Sequence, residues 1–292
     1  MAIKWIVMDM DGTLLNKQDK IGDETKATLM KCQEMGIKLI LASGRSYRRL
    51  DRYAKELKMD EHNGYIIEVN GMAFKDVETG KRTIFKRIQQ PEIARLFDFF
   101  KDKNVELQGY IDAGVYDYIP ASVFAKKQEE RMTRKLSDDF PWTGGAWSYL
   151  ADCRDGYPDI HYVCDWRMMS YEINKLSVLQ DEETIKNLYP TMMEQFGEDF
   201  EIVRTCPRLI EINPRGISKG ATLARLMEEE NVGHDEVLVF GDGENDVDMF
   251  SKVKYCIAMD NAKEYVKKHA YKITKSNNEE GIAHMIKELI KL

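Results

Sequence analysis

Four groups of side chains in this 292-residue sequence have types and spacings that could do chemistry. The sharpest is Asp9-Met10-Asp11-Gly12-Thr13-Leu14-Leu15, directly after an apolar stretch at 4–8 that reads as a strand. Two carboxylates two residues apart at the end of a parallel strand aim into one crevice, where ligands of such sheets gather. Crowded like charges are costly unless a cation or a proton offsets them. Mg²⁺ suits oxygen ligands and shares its shell among one or two carboxylates, waters and a phosphate. An aspartate can also act as a nucleophile and carry a phosphoryl group as an aspartyl-phosphate. Gly12 allows the tight turn that such a loop needs.

Three further groups point the same way. Ser43-Gly44-Arg45 closes the next strand, where a hydroxyl and backbone N–H groups at a helix start can cradle a phosphate. Ser218-Lys219-Gly220 opens a helix and offers a lysine that could neutralise a phosphate and an attacking carboxylate. Gly241-Asp242-Gly243-Glu244-Asn245-Asp246 follows a strand and could complete a metal site with Asp9. Each group alone has an ordinary reading as a cap, a turn or a solvated charge. Together they supply a nucleophile, an acid/base, a hydroxyl, a cation and metal-binding carboxylates.

The elements that must position these groups follow from periodicity. Residues 4–8, 37–42 and 65–69 read as buried strands, with helices over 24–35, capped by Asp23 and closed by Gly36, and from 46 to about 58. The end of the chain repeats that grammar: helices over 219–231, 245–252, 263–269 and 279–291 alternate with strands at 236–240, 254–258 and 271–274. Alternating strand and helix implies a parallel sheet with helices on both faces. The middle differs. Its strands read as antiparallel and half-buried, with helices over 91–102 and 181–195 and a hairpin over 201–203 and 209–212. The stretch 138–166 has no clear pattern. The expected architecture is one α/β domain, 1–85 and 214–292, interrupted by an α+β insertion at 86–213.

Composition narrows the function classes. Net charge is −7, from 43 basic and 50 acidic residues, which speaks against nucleic acid or an anionic membrane as partner. No apolar run approaches the roughly 18 residues of a membrane span. The start of the chain runs straight into Asp9 and Asp11, unlike a secretory leader. Five dispersed cysteines without a CxxC predict a reduced, cytoplasmic protein, and the five scattered histidines offer no zinc cluster. Arg45, Arg48 and Arg49 read as a solvated helix face. Trp142 and Trp147, like Met168, Met169, Met192 and Met193, read as core filler of the insertion, and His161 and Cys164 as structural.

The four motifs, in this order, resemble the haloacid dehalogenase (HAD) superfamily of phosphohydrolases, and more narrowly its Cof-type sugar-phosphatase branch. Asn70-Gly71, Glu211-Ile212, Gly216-Ile217 and Ser276-Asn277-Asn278-Glu279-Glu280-Gly281 extend the likeness. The resemblance implies a Rossmann-like parallel-sheet core with an inserted α+β cap between the Ser43 and Lys219 motifs. It implies Asp9 as nucleophile and Asp11 as the acid that protonates the leaving alcohol and then the base that activates water. Asp9, the Asp11 carbonyl and Asp242 would hold Mg²⁺, with Asp246 in support. Ser43, Gly44 and Lys219 would hold the phosphoryl group, assisted by the Met10 backbone and Asn245. Asp260 stands where relatives commonly carry glycine and adds an acid near the site. The implied function is hydrolysis of small phosphorylated metabolites, sugar phosphates foremost, by a monomer or small homo-oligomer without nucleic-acid or membrane partners. A phosphomutase of the phosphomannomutase type and a non-catalytic phosphometabolite sensor are the alternatives.

Overall fold

The structure, a computed structural model, describes residues 2–291. The chain forms two compact units. One runs through Phe85 and resumes at Ile217; the other is Lys86–Gly216.

The opening segment gives β1 (Trp5–Met8), α1 (Asp23–Glu34), β2 (Lys38–Ala42), α2 (Tyr47–Glu56), β3 (Tyr65–Glu68), β4 (Ala73–Asp76) and β5 (Arg82–Ile84). The middle gives β6 (Ile88–Gln89), α3 (Gln90–Phe100), β7 (Glu106–Tyr110), β8 (Gly114–Tyr118), α4 (Ala121–Arg134), β9 (Asp159–Tyr162), β10 (Glu172–Ile173), β11 (Lys175–Leu179), α5 (Glu182–Phe196), β12 (Phe200–Cys206) and β13 (Leu209–Pro214). The closing segment gives α6 (Lys219–Glu229), β14 (Val237–Gly241), α7 (Val247–Phe250), β15 (Tyr255–Ala258), α8 (Glu264–Lys267), β16 (Lys272–Ile273) and α9 (Gly281–Leu289). β13 runs through Pro214, so the second unit continues past the Asn213 boundary expected from sequence.

In the first unit the strands order as β16-β15-β14-β1-β2-β3-β4-β5. The six from β16 to β3 are parallel, and β4 and β5 add an antiparallel edge. β1 and β14 are buried at every residue, as parallel strands covered on both faces must be. Alternate side chains feed two cores. Ile6, Met8, Leu39 and Leu41 pack with Leu29, Ile282 and Ile286. Val7, Ile40 and Val239 pack with Leu223, Leu226 and Met249. β1 has β2 on one side and β14 on the other, so the strand order switches direction between β1 and β14. A crevice opens beyond the carboxyl ends of strands at such a point.

One helix start departs from the sequence reading. Gly22, not Asp23, is the N-cap of α1, and Asp23 lies in the first turn. The exposed N–H groups find a remote carboxylate instead: Thr25 N and Oγ1 donate to Glu280 Oε2 at 2.9 and 2.5 Å. No local spacing could disclose a partner 255 residues away. Gly36 closes the helix at φ +85° as expected. The expected helix over 245–252 is a 3₁₀ turn, Glu244–Asp246, followed by the short α7.

The second unit is a six-stranded sheet ordered β12-β13-β11-β7-β8-β9, antiparallel except for the parallel β8–β9 pair. Strand alternation sorts its faces. Leu107, Leu176, Val178, Ile210 and Ile212 pack against Ile93, Phe97, Ile185 and Phe196 of α3 and α5. The opposite side chains, Glu106, Gln108, Asp117, Lys175, Ser177 and Glu211, are polar and yet buried. The patternless stretch explains this. Gly144 N donates to Glu106 Oε1 at 2.6 Å, and Lys127 of α4 donates to Glu106 Oε2 at 2.7 Å and to the Tyr149 carbonyl at 2.6 Å. The segment is ordered by polar bonds, which leave no hydrophobic period to read. α4 escaped for the same reason: only Val123 and Lys127 of it are buried.

Other core assignments divide. Trp147 is 77% exposed, so it is not core filler. Trp142 is half-buried, with Phe124 4.7 Å and the Arg131 guanidinium 4.0 Å from its ring. Met169 and Met192 are buried, whereas Met168 and Met193 are exposed. His161 stacks on Tyr116, and Cys164 is exposed beyond the end of β9.

Candidate active site

Asp9 follows β1 and Asp242 follows β14; these neighbouring strands are in parallel register, and Asp9 N donates to the Phe240 carbonyl at 3.1 Å. Lys219 enters from the first turn of α6. Ser218 caps that helix, its Oγ accepting from Ala221 N at 3.0 Å and donating to Asp248. Gly220 lets α6 approach α7, since a Cβ there would lie 2.6 Å from the Asp248 carbonyl carbon. The lysine is wholly buried, and its ammonium donates to Asp9 Oδ1 at 2.5 Å and Asp246 Oδ1 at 2.8 Å. Asp246 Oδ2 accepts from the N–H groups of Asp242 and Gly243, both at 2.9 Å.

Asp9, Asp242 and Asp246 each bring one carboxylate oxygen within 4.8 Å of the others. Burial, then the charge of Asp246, holds the Asp9 carboxyl well above its ordinary value, against the pull of Lys219. The same two causes push Asp242 up to about 7, with Thr13 Oγ1 donating to it at 2.8 Å in opposition. One ammonium does not offset three carboxylates. A cluster of hard oxygen donors so short of positive charge fits a small divalent cation of the Mg²⁺ kind. Gly12 makes room: it sits at φ +85°, and a Cβ there would fall 2.3 Å from Asp242 Oδ2.

The remaining expected residues lie on the adjoining loops. Met10 is buried in the core and offers only its backbone to the loop. Ser43 follows β2 and accepts at Oγ from Arg45 N at 3.1 Å. Its carbonyl accepts from Asn70 N at 3.0 Å, and Asn70 Oδ1 accepts from Asn245 Nδ2 at 3.4 Å. Gly44 lies between Ser43 and Arg45 on the same loop. Val69, Asn70 and Gly71 take φ values of +46°, +55° and +94° in succession. Left-handed backbone in a β-branched residue is strained and held by its surroundings. The strain lets Gly71 press against the start of α6, where Thr222 Oγ1 donates to its carbonyl at 2.7 Å. Asp11 stands apart from the carboxylate cluster, its side chain 63% exposed and held by the Arg45 guanidinium.

Sequence reasoning missed three of these parts. Arg45 is not a solvated helix residue: it precedes α2, and its side chain is mostly buried between acids. Arg48 is exposed, as expected. Thr13 lies inside the first motif, so its hydroxyl was visible but unassigned. Asn261 donates to the Gly12 carbonyl at 2.8 Å and to Asp242 Oδ2 at 3.4 Å, from a position with no local signal. Its neighbour Asp260 is exposed and pairs with Lys267 at 3.4 Å.

Comparison with known proteins identifies the family. The model of the haloacid dehalogenase-like hydrolases matches residues 6–286, and the chain belongs to that family. A 5-amino-6-(5-phospho-D-ribitylamino)uracil phosphatase of Bacillus subtilis is 26% identical over 299 residues, covering 99% of this chain and 98% of its own. An Escherichia coli K12 phosphatase of the same name is 25% identical, covering 100% of this chain and 97% of its own. Among solved structures, a haloacid dehalogenase-like hydrolase from Bacteroides thetaiotaomicron superposes with a TM-score of 0.77 at 27% identity, covering 99% of this chain and 100% of its own. The HAD subclass IIB sugar phosphatase BT4131 shares the fold, at TM-score 0.75 and 22% identity, with 98% of each chain covered. The chain is thus a phosphatase of the HAD family. No described helix is long and apolar enough to cross a membrane.

Proposed function

We propose that this enzyme hydrolyses small phosphorylated metabolites, sugar and polyol phosphates foremost, with Mg²⁺ and through an aspartyl-phosphate on Asp9. The observation that carries the reading is the buried Lys219 ammonium 2.5 Å from Asp9, beside Asp242 and Asp246. Asp9, the Asp11 carbonyl and Asp242 would hold the cation, with Asp246 behind them. When bound, Mg²⁺ would supply positive charge against the phosphoryl oxygens and the crowded carboxylates.

The chain's own residues supply the rest. Lys219 holds Asp9 in place, and Asp9 Oδ attacks phosphorus. As the bond to the leaving oxygen breaks, Asp11 gives that oxygen its proton. Water then attacks the phosphorus; Asp11 takes a proton from it, the bond from Asp9 to phosphorus breaks, and phosphate leaves. The Ser43 hydroxyl, the Met10 and Gly44 backbone, Asn245 and Lys219 cradle the phosphoryl group, since positioning and charge dominate this chemistry. The relatives that act on a phosphoribitylamino compound, and the fold shared with a sugar phosphatase, support a polyol or sugar phosphate. We read the second unit as the cap of the family and the source of substrate choice. The five free cysteines suit the cytoplasm.

The test is phosphate release across sugar phosphates, nucleotides, cofactor phosphates and p-nitrophenyl phosphate, with Asp9→Asn as the blank. Mg²⁺-dependent release by the wild type alone is the expected outcome. Equal release by the variant overturns the role of Asp9, and isomerised product without free phosphate would make the enzyme a mutase.

A further inference from the structure

We propose that Arg45 is a positioning residue that aims the Asp11 carboxyl for both proton transfers. The inference rests on the reading of Asp11 as acid and base given above.

Arg45 grips Asp11 with a two-pronged fork. Nε donates to Oδ2 at 2.8 Å, and Nη2 donates to Oδ1. Nη2 also donates to Asp19 Oδ1 at 3.0 Å. Asp19 is fixed in turn, for Arg52 pairs with its carboxylate and the Tyr53 hydroxyl donates to its carbonyl at 3.2 Å. The Arg45 side chain is only 13% exposed, whereas Asp11 is 63% exposed.

An exposed ion pair between two mobile chains is worth little. This pair differs because one partner cannot wander. The Arg45 backbone belongs to the Ser43 loop: its N–H donates to Ser43 Oγ, and its carbonyl accepts from Val69 N at 3.0 Å. The fork therefore spans from the loop that cradles phosphate to the loop that carries both catalytic aspartates. An exposed aspartate would otherwise sample several rotamers. A planar bidentate fork selects one, which an ammonium cannot do. Nε and Nη2 are engaged by Asp11 and Asp19; Nη1 makes no hydrogen bond but is buried away from any ligand, so Arg45 acts through Asp11. Misplacing a reacting group by about 1 Å can cost on the order of 100-fold in rate.

The two proton transfers separate this role from a merely structural one. An alkoxide leaves only with a proton from Asp11; p-nitrophenolate leaves without one. The second step needs Asp11 as base whatever the substrate was. With p-nitrophenyl phosphate, Arg45→Ala should then form the aspartyl-phosphate at the wild-type rate and release a burst of one p-nitrophenolate per enzyme. Steady-state turnover should fall about 100-fold behind it. With the best sugar phosphate of the panel, the first turnover itself should slow and no burst should appear. Arg45→Lys, which keeps the charge and loses the fork, should restore little. Asp19→Asn should give the same pattern in weaker form, and it tests the network with Arg45 in place. Equal slowing of the first turnover on both substrates, or wild-type turnover on both, overturns the inference. Asp11→Asn is the benchmark: if it turns over sugar phosphate normally, the reading of Asp11 has failed and not the role of Arg45 alone.

Discussion

The Lys219 ammonium lies 2.8 Å from Asp246 Oδ1, and neither side chain is exposed at all. Burial alone would push the lysine toward its neutral form, but the charges of Asp246 and Asp9 outweigh it and hold its pKa above the ordinary value. Asp246 also accepts from the backbone N–H groups of Asp242 and Gly243. One carboxylate therefore ties the cation of α6 to the loop that follows β14.

That tie predicts unequal effects. Lys219→Ala removes the cation closest to Asp9 and should lower kcat by about 100- to 1,000-fold, the usual cost of one buried electrostatic stabiliser. Asp246→Asn keeps an acceptor for the backbone but weakens the anchor of Lys219. A cost of about tenfold is expected, as for other supports behind a site. Single-turnover rates with the best substrate check both, and an unchanged rate for Lys219→Ala would place the phosphate elsewhere.

The sequence disclosed the parallel core because its strands are continuous apolar runs bounded by Gly and Asp, as at Val237–Gly241 before Asp242. It disclosed the four motifs because each is contiguous. What it hid are partners that only folding brings together: Glu280 on the start of α1, Asn261 on Asp242, Arg45 on Asp11. It also hid the polar face of the second sheet. A buried Glu106 or Lys127 reads as solvated until the opposing charge is known.

The carboxylate cluster should make stability depend on Mg²⁺ in a pH-dependent way. Asp242, raised to about 7, binds its proton more tightly in the folded chain than in the unfolded one. Its contribution is full in acid and is lost as pH rises through 7. A bound cation favours the ionised form and reverses that loss. Melting with and without Mg²⁺ should therefore show a larger gain at pH 8 than at pH 5.5, about 2.7 kcal/mol at 100 times Kd. Asp242→Asn should blunt it. No gain at pH 8 would mean that these aspartates do not hold the ion.

Gly71 tests the contact between the strained turn and α6. At φ +94°, a Cβ would fall 2.2 Å from the Ser218 carbonyl oxygen. Gly71→Ala should cost about 1–3 kcal/mol in urea unfolding and reduce activity, because the carbonyl it displaces precedes Lys219. Gly80 is the control: its φ is +71°, but nothing lies within 4 Å of the added Cβ. Gly80→Ala should show the backbone penalty alone and leave activity intact. Equal losses at both positions would show that the approach to Ser218 contributes nothing.

Asp117 predicts a pH dependence of the second unit. It is 1% exposed, and neither carboxylate oxygen meets a conventional donor. Burial first, and then the charge of Glu106, holds its carboxyl well above the ordinary value, while Lys127 works against them. A protonated Asp117 can donate to Glu106, which otherwise accepts from Lys127, Gly144 and Gln108. The contribution of that proton is full below the unfolded pKa and disappears as pH rises through the folded one, by about 1.4 kcal/mol for each unit between them. Asp117→Asn carries a permanent donor, so it should gain stability relative to the wild type in urea unfolding between pH 5 and pH 9. Lys127→Met should lose about 3–5 kcal/mol, because it leaves a buried carboxylate without its cation. If the wild-type and Asp117→Asn curves run parallel across that range, Asp117 titrates as an ordinary carboxylate and the shared proton is not there.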